Sequence, residues 1–188
     1  MAKSTDNIVL KGASGTIADM LTLTKKRSGA IILGKKRGAS SVPPSEEQLG
    51  IQRRFKRAMQ YAKAAILDPV VKAAYQAFAG PDQSAYNMAV KDAFKPPVVE
   101  SITTKNYQGA VGDTLLIRAL DDFKVTAVNV SIRTAAGAIV EQGNAVLQSN
   151  ALDWLYTATV ANAALAGTVI TAIAVDTPGN ETPKEVVL

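Results

Sequence analysis

Apolar and polar positions alternate in two stretches near the start of the chain. Residues 20–27 (MLTLTKKR) and 30–37 (AIILGKKR) are both rich in β-prone residues, and Ser28-Gly29 between them is a turn signal. This pattern predicts a β-hairpin, and a further short strand is predicted at residues 8–11. Antiparallel pairing about the turn places one basic triplet beside the turn and the other at the far end of the hairpin.

A helical period replaces this alternation after the hairpin. Ser45 and Gln48 form a capping-box pattern, and apolar residues then recur at three- and four-residue spacing. Asp68-Pro69 is a start signal for a second helix, since proline is favoured at the first helical position. The predicted helices cover residues 46–67, 69–79 and 83–94. Their alanine content predicts close packing between helices rather than a deep core.

After residue 97 the apolar residues recur at every second position. Seven short β-prone runs follow, separated by turn signals such as Pro178-Gly179-Asn180. The predicted strands cover residues 98–104, 114–120, 124–133, 138–141, 154–160, 168–175 and 184–188. Many short strands at this spacing predict an antiparallel β-sandwich, with Trp154 in its core.

Charge changes along the chain at the same place as the periodicity. Residues 1–95 carry 16 lysines and arginines against 7 acidic residues, whereas residues 96–188 carry 5 against 9. Pro96-Pro97 fix the backbone here and disfavour helix before them. We therefore predict two domains: a basic hairpin–helix unit of α+β class at residues 1–95, and an all-β sandwich at residues 97–188.

The 188 residues include no cysteine and no histidine. Disulfide scaffolds, thiolate and imidazole metal sites, cysteine nucleophiles and histidine-dependent triads are therefore excluded. Carboxylate chemistry remains possible, but no nucleophile–base pair stands out in the sequence, so we predict a protein that is not an enzyme and uses no cofactor. We also expect no membrane span, since no apolar run reaches about 18 residues, and no secretory signal.

Acidic residues of the second half offer oxygen atoms that a cation could use. Asp113 with Asp121-Asp122 is one such set, and Asp176 with Asn180 is another. Acidic residues in loops are more often turn formers with solvated charges. The sequence therefore predicts no metal site.

The stretch TAIAVDTPGNET at residues 171–182 resembles the last hairpin of bacterial immunoglobulin-like domains. Those domains often end in a strand, an Asp-x-x-Gly-Asn turn and a final strand. The resemblance covers about residues 97–188 and implies an immunoglobulin-like sandwich. It implies little about function, because such modules occur in adhesins, surface enzymes and phage virions alike.

Residues 9–67 resemble a poorly characterised family of small proteins from bacterial and phage genomes. The shared features are GASGTI at residues 12–17, the basic hairpin, PSExQ at residues 44–48 and QRRF at residues 52–55. Some members look like virion or surface structural components with an immunoglobulin-like domain behind the hairpin–helix unit. The resemblance therefore implies a structural protein of a phage virion, such as a capsid decoration or neck-tail component, and it implies no catalytic residue.

The hairpin and the cations predict how such a protein docks. A two-stranded ribbon is marginally stable alone, and its free edges invite pairing with another chain. We expect it to be completed by acidic surfaces of other structural subunits, with self-association as an alternative. The predicted docking residues are the basic side chains of the hairpin and first helix: Lys25, Lys26, Arg27, Lys35, Lys36, Arg37, Arg53, Arg54, Lys56 and Arg57.

Two other functions remain alternatives. The first is an extracellular or cell-surface binding module whose sandwich loops bind a receptor or glycan. The second is a nucleic-acid-associated basic protein, because 16 cations in residues 1–95 could neutralise phosphates. Against it, residues 1–54 contain no aromatic residue on which bases could stack. The virion structural protein is the preferred hypothesis.

Overall fold

The computed structural model describes residues 2–4, 10, 12–38 and 42–188 of the chain. Within these residues the fold is of mixed α and β type, with more strand than helix, and comprises three helices and three antiparallel sheets. The strand predicted at residues 8–11 lies outside the described residues except for Leu10, which is in a turn.

In the described part of the chain, four strands come first, then three helices and then eight strands. The first sheet contains β1 (Ala2–Ser4), β2 (Gly15–Ile17), β3 (Leu21–Lys25) and β4 (Ile31–Lys35). The helices are α1 (Glu46–Ala65), α2 (Pro69–Phe78) and α3 (Ala85–Phe94). The remaining strands are β5 (Val98–Thr103), β6 (Thr114–Leu120), β7 (Val125–Arg133), β8 (Ile139–Asn144), β9 (Val146–Leu147), β10 (Asp153–Thr157), β11 (Val169–Asp176) and β12 (Glu181–Val187).

The predicted hairpin is present as β3 and β4, with Leu23 opposite Leu33 and Lys25 opposite Ile31. The expectation of free ribbon edges was wrong, because the sheet order is β1-β4-β3-β2 and both outer edges of the hairpin pair with strands of the same chain. The two added strands have three residues each, too few for a period of two to stand out in the sequence. The outer edges of β3 and β4 are therefore each paired within the chain over three of their five residues.

A side-chain cap starts each of the three helices, and the caps of the first two are the predicted ones. The Gln48 amide donates to Ser45 Oγ at 3.3 Å and the Ser45 amide donates to Gln48 Oε1 at 3.0 Å, which completes the capping box. Asp68 Oδ1 accepts from the Val70 amide at 2.7 Å at the start of α2. Ser84 caps α3, which begins two residues later than predicted.

The helices share a small core built around Tyr75. Its side chain is fully buried among Ala62, Ala85, Met88 and Ala89. The alanines at three of these four positions let the helices approach closely, as the alanine-rich sequence predicts.

The seven strands predicted after residue 97 are all present and, together with the short β9, form two four-stranded antiparallel sheets, of order β5-β6-β10-β9 and β12-β11-β7-β8. The two sheets enclose one apolar core, to which Ile117 and Trp154 contribute from the first sheet and Ile132 and Ile170 from the second. The two-residue strand β9 was not predicted, since its length carries no alternation.

The helices rest against one end of these sheets. The Phe123 ring lies 4.3 Å from the Tyr75 ring and 5.0 Å from the Phe78 ring, measured between centroids. Lys91 and Lys95 both pair with Asp122, at 3.4 and 3.1 Å. These contacts join the helical unit to the loop between β6 and β7.

An ion pair across two paired strands gives a pH prediction. Arg118 Nε and Nη2 donate to the two oxygens of Asp153 at 2.8 and 3.0 Å, and Asn150 adds a third hydrogen bond. The Arg118 hydrogen bonds, followed by that from Asn150, lower the pKa of Asp153. Its stabilising contribution is therefore present above the unfolded pKa of 3.8 and is lost as pH falls through the lower folded value.

We expect NMR titration of the side-chain carboxyl carbons to give Asp153 a midpoint below 3.8. In Arg118→Gln the midpoint should rise toward the ordinary aspartate value, while the midpoint of Asp113, whose pKa is lowered by backbone amides, should stay where it is. An Asp153 midpoint that ignores the loss of Arg118 would contradict this assignment.

Candidate interaction surface

The first three turns of α1 are largely exposed to solvent. Glu46–Gln48 and residues 51–57 are exposed, and half-burial is limited to Leu49 and Gly50. The exposed residues include the cations that we call the α1 basic cluster: Arg53, Arg54, Lys56 and Arg57. None of these four pairs with an acidic residue of the described part of the chain. Their charge is therefore available to an acidic partner.

Beside this cluster lies a shallow apolar groove between α1 and α3, which we call the α1–α3 groove. Its lining includes Phe55, Met59, Tyr86, Val90 and Phe94. The Phe55 and Phe94 rings meet edge to face with centroids 6.0 Å apart, and Phe55 is 46% exposed. The predicted apolar stripe of α1 is therefore only partly buried: Ala58 and Ala62 pack inside, whereas Phe55 stays accessible to a partner.

One cation links the cluster to the groove. The Arg54 guanidinium carbon lies 5.1 Å from the centroid of the Phe94 ring, in a cation–π contact. Sequence reasoning missed this pairing of aromatic and basic residues, because Phe94 is 40 positions further along the chain. Helix spacing predicts a neighbour three or four residues away, but not a neighbour on another helix.

The two basic triplets of the hairpin lie at its opposite ends, as the antiparallel pairing predicts. The Ser28 amide donates to Asp82 Oδ1 at 2.8 Å, and Arg27 Nη1 donates to the Gln83 carbonyl at 3.4 Å, so the turn touches the α2–α3 loop. At the far end, Lys36 pairs with Asp19. The predicted docking residues thus form three separate basic regions, and some of their charge is used within the chain.

A largely buried set of acidic residues, of which Asp121 is half-buried, lies between α3 and the sheets. Carboxylate oxygens of Asp92, Asp121 and Asp176, which we call the junction carboxylates, all lie within 4.8 Å of one another. Burial raises the pKa of Asp92 to about 7, with the Tyr75 hydrogen bond opposing and the nearby Asp121 adding to the rise. Burial likewise raises the pKa of Asp176, although hydrogen bonds from Asn180 oppose it.

The acidic residues that the sequence offered as possible cation ligands have different surroundings in the structure. Asp113 accepts from the Gln108 and Ala110 amides as a turn former, and Asp122 pairs with lysines. Asp176 does lie beside Asn180, whose side-chain nitrogen donates to Oδ2 at 2.7 Å. Asp92 carries no sequence signal of a cation ligand, because an acidic residue within a helix is ordinarily solvated.

Comparison with known proteins gives little further guidance. No family model and no curated protein matches the chain. The crystal structure of an engineered protein is similar with a TM-score of 0.35 and 20% identity, over 57% of this chain and 25% of that one. This chain thus matches a quarter of the length of the engineered protein, and a similarity at this TM-score carries no argument about fold or function.

The helices also bear on the membrane prediction. Among the described residues, no helix is both long enough and apolar enough to cross a bilayer.

Proposed function

We propose that this chain is a non-enzymatic structural protein of a large assembly and that it docks onto acidic surfaces of neighbouring subunits through α1. The observation that carries the proposal is the exposed start of α1, where the α1 basic cluster flanks the α1–α3 groove. Cations steer an acidic surface into register, and the groove gives an apolar side chain of the partner a place to bury. The docking mode is therefore a helix surface rather than completion of the hairpin.

An acidic protein fits this surface better than a nucleic acid does. Met59 and Val90 make part of the groove aliphatic, and a phosphate backbone has no apolar group to fill it. The Phe94 ring, which could stack on a base, already carries the Arg54 guanidinium. Binding to nucleic acid is accordingly an outcome to be tested and not the preferred function.

The sandwich is proposed to be immunoglobulin-like. Its first sheet has the order β5-β6-β10-β9 and its second β12-β11-β7-β8. Lettered along the chain, these are the orders A-B-E-D and G-F-C-C′, which agree with the constant-type arrangement extended by one C′ strand. The resemblance of residues 171–182 to the closing hairpin of such domains supports the same interpretation.

The assembly that we propose is a phage virion, in which the sandwich projects as a decoration or neck-tail module. The support is the resemblance of residues 9–67 to a family with virion components. A cell-surface binding module, using the sandwich loops, is the alternative location and function.

The docking proposal predicts the effect of charge reversal. Arg53→Glu, Lys56→Glu and Arg57→Glu together should weaken association with the assembly by about 100-fold or more, because three attractive contacts become repulsive. Arg54 is left in place to preserve its contact with Phe94. The measurement is co-sedimentation of the purified variant with particles from the phage or cell that encodes the chain.

A matched control reverses three exposed cations of the sandwich, Lys105, Lys124 and Arg133, and should co-sediment like the wild type. Equal loss in both triple variants would indicate a general charge effect and contradict docking through α1. Release of the wild-type chain by nuclease treatment, with the particles intact, would instead favour the nucleic-acid alternative.

A further inference from the structure

The junction carboxylates come from three different elements. Asp92 is on α3, Asp121 follows β6, and Asp176 ends β11. Strands β6 and β11 belong to different sheets of the sandwich. The three side chains therefore bring together the helical unit and both sheets at a single point.

Two oxygens of this cluster are buried without a donor. Asp92 has no exposed surface, and while its Oδ2 accepts from the Tyr75 hydroxyl at 2.6 Å, its Oδ1 has no hydrogen-bond partner among the described residues. Asp121 Oδ2 accepts hydrogen bonds from the Phe123 and Lys124 backbone amides. Asp121 Oδ1 is buried and, like Asp92 Oδ1, has no donor among the residues that the structure describes.

Nearby lysines do not neutralise the cluster. Lys91 and Lys95 both pair with Asp122, next in sequence to Asp121. An ionised carboxylate in a buried site is costly unless a counter-charge or donor is present, and like charges close together add to that cost. The cluster therefore needs protons or a cation to be stable, and oxygen-only ligand sets are preferred by Ca²⁺ and Mg²⁺.

We propose that Asp92, Asp121 and Asp176 bind a hard divalent cation, Ca²⁺ or Mg²⁺, at the junction of the helices and the sandwich. The two oxygens without donors, Asp92 Oδ1 and Asp121 Oδ1, supply direct ligands, and Asp176 supplies the third carboxylate. Water completes the coordination. The sequence prediction of no metal site did not include Asp92.

The bound cation acts as a structural clamp. Because its ligands come from α3 and from both sheets, occupancy fixes α3 on one end of the sandwich. That fixes the direction in which the sandwich points from any surface to which α1 is docked. The cation site does not depend on the docking proposal, and either can fail alone.

Thermal unfolding of the full chain, first dialysed against a chelator, tests the site. CaCl₂ and MgCl₂ are titrated separately, and the cation that raises the unfolding midpoint more is the one that the site prefers. The unfolding midpoint should rise by roughly 5 °C or more once the cation exceeds its Kd about 100-fold. Asp121→Asn should abolish the rise, because the amide still accepts the two backbone hydrogen bonds but carries no charge.

Asp122→Asn is the matched control, since it removes the same charge one residue away and outside the cluster. Its midpoint should rise with the cation as in the wild type. No rise in the wild type up to about 10 mM, above the range of weak protein Ca²⁺ sites, would overturn the proposal. An equal rise in all three proteins would also overturn it, as an effect of nonspecific binding.

A second readout covers the case in which Asp121→Asn does not fold. Tb³⁺, a probe for Ca²⁺ sites, should give tyrosine-sensitised emission in the folded wild type, because the Tyr75 hydroxyl touches Asp92. Excess Ca²⁺ should quench that emission, and Asp122→Asn should retain it. Absence of emission from the wild type, or emission that Ca²⁺ leaves unchanged, would contradict the site.

Discussion

Replacing Tyr75 with alanine is expected to lower the free energy of unfolding by about 3–5 kcal/mol, as for other large buried aromatic residues. The side chain is fully buried, and its ring lies 4.3 Å from the Phe123 ring. Its hydroxyl lies 3.0 Å from the Tyr61 hydroxyl and donates to Asp92. The substitution thus empties the helical core and removes the aromatic contact with the sandwich. Chemical denaturation followed by far-UV circular dichroism measures the loss.

Tyr75→Phe separates the two parts of this effect. The ring remains, but Asp92 Oδ2 loses its donor at 2.6 Å, so we expect a smaller loss of about 1–3 kcal/mol. The phenylalanine variant keeps the aromatic ring, so the difference between the two variants measures the contribution of the ring. Equal losses in the alanine and phenylalanine variants would show that the core does not depend on the Tyr75 ring.

Replacing Gly109 with alanine is the second change with a large expected effect, a loss of about 2–5 kcal/mol. Its φ of +86° is one that L-residues adopt at a cost of about 1–2 kcal/mol. A Cβ placed there would lie 2.4 Å from the Asn162 carbonyl oxygen, so backbone must move in a well-packed loop, at a further cost of about 1–3 kcal/mol. Denaturant midpoints of the full chain measure the change.

Gly112 provides the matched control for this glycine. Its φ is +93°, but no heavy atom lies within 4 Å of the position that a Cβ would occupy. Gly112→Ala should therefore show only the backbone cost, about 1–2 kcal/mol. If the two alanine variants were equally stable, the close approach between the loop at Gly109 and Asn162 would not exist in solution.

The sequence predicted secondary structure well where the pattern that indicates an element lies within a few consecutive residues. The capping box of Ser45 and Gln48 and the Asp68-Pro69 start are each contained within four residues, and both form as predicted. The alternation that defined seven strands is likewise a property of short segments. Elements too short to show a period, β2 and β9 among them, were missed.

Features that depend on distant parts of the chain were not predictable in this way. The outer strands that complete the hairpin sheet and the stacking of Arg54 on Phe94 require the tertiary fold. The same is true of the junction carboxylates, since Asp92 and Asp176 are 84 positions apart. The proposed docking residues on α1 were chosen from charge alone, and the structure places these cations on the exposed start of a helix, beside a groove that the sequence did not reveal.

Zero-length cross-linking of the native assembly is the sharpest test of docking through α1. A carbodiimide joins a lysine amine to a carboxylate in contact with it, so it detects acidic protein partners and not nucleic acid. Docking through α1 predicts cross-links from Lys56, the lysine of the α1 basic cluster, to aspartates or glutamates of another subunit. Cross-links that spare Lys56 and arise only from sandwich lysines such as Lys105 and Lys124 would contradict docking through α1.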